Sequence, residues 1–86
     1  MNNDEINLNL LEKIEKEFGD YIKRTGREPK CFLINDGTFD KLLMEVKKKS
    51  PWIVKNIGQL KEEGFQYRGL FVNVENRLGD SEIIAT

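Results

Sequence analysis

At 86 residues the chain has room for one core and no second domain, and a chain this short buries only about 60–65% of its unfolded surface, so its stability margin is thin. A formal net charge of −1 excludes a global field drawing it to nucleic acid or membrane. With no histidine and a single cysteine, Ser-His and Cys-His nucleophile pairs, His-ligated metal, thiolate zinc and an intrachain disulfide framework are excluded as well.

The charge is unevenly spread. Residues 1–20 carry six acids and two lysines, residues 21–61 ten basic residues and four acids, and residues 62–86 five acids and two arginines. No apolar run approaches the roughly 20 residues that span a bilayer. The start M-N-N-D-E has neither the basic nor the apolar segment of a signal peptide. The expectation is a cytoplasmic protein with no membrane partner and no cofactor.

A first helix is expected over residues 9–25. Leu11, Ile14, Phe18, Tyr21 and Ile22 recur at steps of three and four, the stripe of an amphipathic helix. Asn3, Asp4, Asn7 and Asn9 are all candidate caps, and Asn9 with Glu12 resembles a capping box. Lys23 and Arg24 complement the dipole in the last turn; Gly26 and then Pro29 end the helix. Gly19 inside it costs about 1 kcal/mol relative to Ala, which a close neighbour or a bend would explain.

Lys30–Asn35 follows, with Cys31, Phe32, Leu33 and Ile34 as an unbroken apolar run. Absence of alternation predicts a central strand covered on both faces. A second helix then starts with Asp36 as N-cap, Thr38 being the alternative, and buries Phe39, Leu42, Leu43 and Val46. Lys47, Lys48 and Lys49 lie at its C-terminal end.

Pro51–Gly64 reads two ways. Ser50, Pro51 and Gly64 frame a third helix, whereas Trp52-Ile53-Val54 and Gly58 favour a loop or short strand followed by one or two helical turns. The irregular version is preferred. Phe65–Arg68 is a short strand and Leu70–Glu75 a longer one in period two. Asn76–Ser81 is turn chemistry and Glu82–Thr86 a last strand, with the final two strands expected as an antiparallel hairpin. The fold class is α+β: two or three helices packed on a small mixed sheet of three to four strands.

The side chains able to do chemistry have bland readings beside sharp ones. Cys31 in a central strand is packing before it is a nucleophile. Asp36-Gly37-Thr38 offers backbone donors to an anion, but an Asp36 cap satisfies those donors itself. Asp36 and Asp40, one helical turn apart, suit a hard cation, although such pairs are usually solvated faces. Lys23, Arg24, Arg27 and Lys30 surround one turn, and Lys47, Lys48, Lys49 and Lys55 another. Were both turns to face one way they would bind phosphates, with Trp52 as a stacking surface. Trp52 is more often a core or interface anchor than a base platform.

From Pro29 onward these pieces fall into a distinctive order. Pro29 precedes the apolar strand Phe32-Leu33-Ile34 ending in Asn35, and Thr38-Phe39 and Leu42-Leu43 open the following helix. Phe65 or Tyr67, then Gly69-Leu70, Val72, Val74, Leu78 and Ile83-Ile84 complete it. This order resembles the axial domain of the major capsid proteins of tailed phages and their relatives. A shell subunit also needs an N-terminal arm, a long loop, a spine helix and a peripheral domain, for which 86 residues leave no space. The resemblance therefore implies a stand-alone axial-type domain, phage-derived or phage-encoded, that contacts other proteins and carries no catalytic residues.

The expected function is a non-enzymatic interaction protein whose contacts are Trp52, Ile53 and Val54. The alternative is a small nucleic-acid binder using the basic turns. A homo-oligomer through the Glu82–Thr86 edge is a further expectation, since an edge strand recruits partners unless blunted.

Overall fold

A computed structural model describes residues 9–86, so the alternative caps Asn3, Asp4 and Asn7 lie outside the described residues. Helix α1 spans Leu10–Thr25. The Asn9 side chain accepts from the Glu12 N–H at 2.8 Å, and Gly26 ends the helix in the left-handed conformation at φ 74°. Strand β1 is Cys31–Ile34 and helix α2 is Asp36–Lys49. A seven-residue helix α3, Ile57–Glu63, carries a complete capping box between Asn56 and Gln59. Strands β2 (Gln66–Tyr67), β3 (Leu70–Val74) and β4 (Ile84–Ala85) follow. The irregular 51–56 connector and the short helix after it agree with the preferred reading of that segment.

The sheet order is β2-β3-β1-β4. This corrects the expected hairpin between the last two strands. β1 lies between them, parallel to β3 and antiparallel to β4. The hairpin of this fold joins β2 to β3 instead. Its two-residue loop, Arg68-Gly69, has φ of 53° and 79°, the doubly positive pair of a type I′ turn, which suits the twist of the flanking strands.

One core fills the space between the helices and one sheet face. Leu10 and Ile14 of α1 and Phe39, Leu42 and Leu43 of α2 meet Phe32, Ile34, Val72 and Ala85 of the sheet. Ile57 and Leu60 bring α3 onto the same cluster. The expectation that β1 is covered on both faces is therefore corrected. Phe32 and Ile34 are fully buried, while Cys31 and Leu33 on the opposite face are only half-buried. Interior placement in a sheet covers a strand's edges, and covering its faces takes separate layers.

The N-cap of α2 is also corrected. Asn35, not Asp36, accepts from the Thr38 N–H, at 2.7 Å. The Asn35 amide meanwhile donates to the Leu78 carbonyl and to Asp80 Oδ1, and the Asp36 N–H donates to Asn76 Oδ1. Thr38, 2% exposed, accepts from the Ser81 N–H at 2.9 Å. The start of α2 thus organises the 75–83 connection and delivers β4 to β1. Among the described residues no helix is long and apolar enough to cross a membrane.

Candidate interaction surface

The strand-to-helix turn at Asn35–Thr38 is closed to ligands by the chain's own groups. Its backbone donors are taken by Asn35 and Asn76. The Asp36–Asp40 pair does hold a cation, the Lys61 ammonium of α3, which donates to both carboxylates and lies 5.6 Å from the centre of the Phe39 ring. The hydrogen bonds it donates, first to Asp36 and then to Asp40, raise the Lys61 pKa above its ordinary value. What spacing suggests as a metal pair is the clamp that docks α3 on α2. Cys31 is half-buried on the helix-free face of the sheet and not in the core, which corrects its expected burial.

The eight basic residues do not form one patch. Glu45 of α2 accepts from the N–H groups of Leu10 and Leu11, so α2 meets α1 at the N-terminal end of α1. Lys47, Lys48 and Lys49 follow Glu45 directly, whereas Lys23 and Arg24 occupy the last turn of α1. At about 1.5 Å per residue, the length of α1 separates these groups by roughly 20 Å. Lys55 is paired with Glu63. Lys47, Lys48 and Lys49 stay together in the last turn of α2, and Lys23, Arg24, Arg27 and Lys30 form a separate cluster whose four members are exposed and unpaired among the described residues. Arg24 lies over the Tyr21 ring at 5.5 Å, and Tyr21, Arg27, Glu28, Lys30 and Thr86 line a shallow cavity there.

Trp52, Ile53 and Val54 lie on the connector between α2 and α3. Trp52 is 76% exposed and Val54 92%, with Ile53 half-buried. The connector is anchored at both ends. Ser50 caps α2 by donating to the Val46 carbonyl and accepts from the Ile53 N–H at 3.0 Å, and Asn56 starts α3. This is an apolar display on a fixed base, flanked by Lys47–Lys49 and Lys55.

The β4 edge, the expected site of oligomerisation, is partly blunted. Phe32 and Ala85 are opposite one another but do not exchange backbone bonds, so the Ala85 N–H points outward, and Glu17 of α1 accepts it at 3.3 Å. Charge near this edge comes from a helix, beyond the reach of any reading of Glu82–Thr86 alone.

Two groupings escape the sequence reading. Glu15 on α1 accepts from the Tyr67 hydroxyl and from the Arg68 guanidinium at 2.6 Å, pinning the β2–β3 turn to α1. The Arg68 and then the Tyr67 hydrogen bonds lower the Glu15 pKa. The second grouping is the helix-free sheet face, which carries Cys31, Leu33, Gln66, Phe71, Asn73 and Ile84. Alternation of Phe71 and Asn73 with Leu70, Val72 and Val74 is its one sequence signal.

No protein-family model matches this sequence, and no curated protein or solved structure is significantly similar to it.

Proposed function

We propose that this chain is a non-enzymatic, cytoplasmic protein-interaction module of phage or mobile-element type, which engages a protein partner through Trp52, Ile53 and Val54. The observation that carries the reading is the exposure of Trp52 and Val54 on a connector held by caps at both ends. A rigidly presented tryptophan is the residue type most often found as an interface hot spot, worth about 2 kcal/mol or more when it fills a pocket. Loops on a firm scaffold are where recognition concentrates.

The capsid-like order of residues lends support through the structural work each performs. Asn35 caps α2, Thr38 holds Ser81, Phe39 and Val72 are core, Gly69 completes the tight turn and the Leu78 carbonyl accepts from Asn35.

The test is affinity capture with the wild-type chain and with Trp52→Ala, the fold of each followed by circular dichroism. A specific partner lost in the folded variant supports the reading; equal capture by both removes Trp52 from it. As the only tryptophan, Trp52 also reports its own burial by fluorescence.

A second reading, nucleic-acid binding, rests on Lys23, Arg24, Arg27 and Lys30 alone. It requires affinity that falls steeply with salt. An anisotropy titration at low salt that shows no binding rejects it.

A further inference from the structure

We infer that the helix-free face of the sheet is a self-association surface, covered by the same face of a second copy. Strand register sets Phe71 beside Cys31, and Asn73, Leu33 and Ile84 in the next row, with Gln66 beside Phe71. All six residues lie on the sheet face opposite the core packed by α1 and α2, with the edge of the Phe71 ring beside Gly64 at the end of α3. The apolar members are absent from the core and from the residues packed against it, and Phe71 is 48% exposed.

The charge pattern selects the occupant. One third of this chain is charged, yet none of these six strand residues is. Of the acids that flank these strands, Glu75 just past β3 is already paired with Arg77, and Glu82 ahead of β4 accepts from the Gly79 N–H. A charged partner would surrender hydration here with nothing to pair against. A second copy brings an uncharged, apolar surface of the same shape, and a two-fold axis makes the contact self-complementary. Two such faces pack as stacked sheets about 10 Å apart without desolvating an ion.

The edges make the alternative mode of self-association less favourable. Glu17 occupies the outward Ala85 N–H on one side, and β2 on the other is two residues ending in a tight turn. Size sets the strength. A face of four short strands buries on the order of 800 Å² over both partners, below the roughly 1,200 Å² at which stable interfaces begin, so the dimer is weak, transient and concentration-dependent.

Sedimentation velocity on the full chain, from low micromolar to near-millimolar concentration, tests the inference. The expected result is a mass that rises toward twice the monomer. Phe71→Lys weakens the association by at least about tenfold, as loss of a central aromatic anchor does, while its circular dichroism stays native. Ile84→Lys is the second variant should Phe71→Lys fail to fold. A short bismaleimide links two copies through Cys31, the only cysteine, in wild type and not in Phe71→Lys. Trp52→Ala leaves association unchanged, which separates this surface from the connector. A wild-type chain that stays monomeric throughout overturns the inference. So does association that survives Phe71→Lys, or that strengthens in Glu17→Ala, the result expected of edge pairing.

Discussion

Glu45 of α2 accepts hydrogen bonds from the backbone N–H groups of Leu10 at 2.9 Å and Leu11 at 3.2 Å. One helix thereby caps the start of another from 34 and 35 residues away. The first turn of a helix carries unpaired donors and partial positive charge, and a carboxylate answers both. Glu45→Ala is expected to destabilise the fold by about 1–2 kcal/mol, a drop in Tm of roughly 5–15 °C for a domain of this size. Thermal or urea unfolding measures it, and an unchanged midpoint would show that water replaces the carboxylate at no cost.

Thr38→Val tests the tie between α2 and the last connection. The substitution preserves shape but leaves the Ser81 N–H without its acceptor in a part-buried site. The expected loss is about 1–3 kcal/mol. Hydrogen exchange at the Ser81 amide should accelerate by more than exchange at Phe32.

Gly19 sits within α1 where an added Cβ meets no atom within 4 Å. Neither packing nor backbone conformation calls for glycine there, so the expected close neighbour is absent. Gly19→Ala should stabilise the fold by up to about 1 kcal/mol through lower unfolded-state entropy. A destabilised variant in urea titration would expose a constraint the packing does not show.

Acid titration follows Glu75 and Glu15. Hydrogen bonds from the Arg77 side chain and backbone lower the Glu75 pKa to about 2, and Arg68 lowers that of Glu15. A depressed carboxylate contributes stability that is complete above its unfolded pKa of about 4.3. That contribution is lost as pH falls through the folded value, so stability should decline from about pH 5 downward. Carboxyl NMR should show the Glu75 pKa moving up toward its ordinary value in Arg77→Ala, the residue 77 backbone N–H keeping part of the lowering, and no movement would reject the pairing.

Alkaline titration follows Tyr67 and Lys61 with the opposite sign. Burial first, then the hydrogen bond to Glu15, raises the Tyr67 pKa, and Asp36 and Asp40 raise that of Lys61. Both contributions are complete below their unfolded values of about 10 and are lost as pH climbs through the folded ones. The phenolate absorbance of Tyr67 should therefore appear only above pH 10, and earlier in Glu15→Gln. Identical curves for the two proteins would remove Glu15 as a cause.

What was legible in the sequence was local. The Asn9 cap, the stripe through Ile14 and Phe18, the Gly26 terminator and the apolar face of Phe39, Leu42 and Leu43 all lie within a few residues of what they control. Sequence alone does not separate Asn35 from Asp36 as the α2 cap, because adjacent Asx residues are equally competent and only chain direction decides which reaches the Thr38 N–H. The β2–β3 turn is not legible in the sequence because Arg68 is an unusual residue at positive φ; its pairing with Glu15 accompanies that conformation. Strand order could not be read. Leu70–Val74 and Ile84–Ala85 are sequence neighbours, and nothing in either says that β1 is inserted between them. The same gap hid the uncharged face, which exists only once register aligns residues 31–33, 66–73 and 84.

The insertion of β1 between β3 and β4 also dictates the timing of assembly. Its partners lie 40 and 51–53 residues further along the chain. Both neighbours of the central strand must be brought back over long loops before backbone bonding repays the entropy of closure. During synthesis Cys31–Ile34 leaves the ribosome with nothing to pair with, and α1 and α2 can dock only loosely. The sheet closes only when Ile84–Ala85 arrives, so folding of this unit is expected to be concerted and to wait for its last strand.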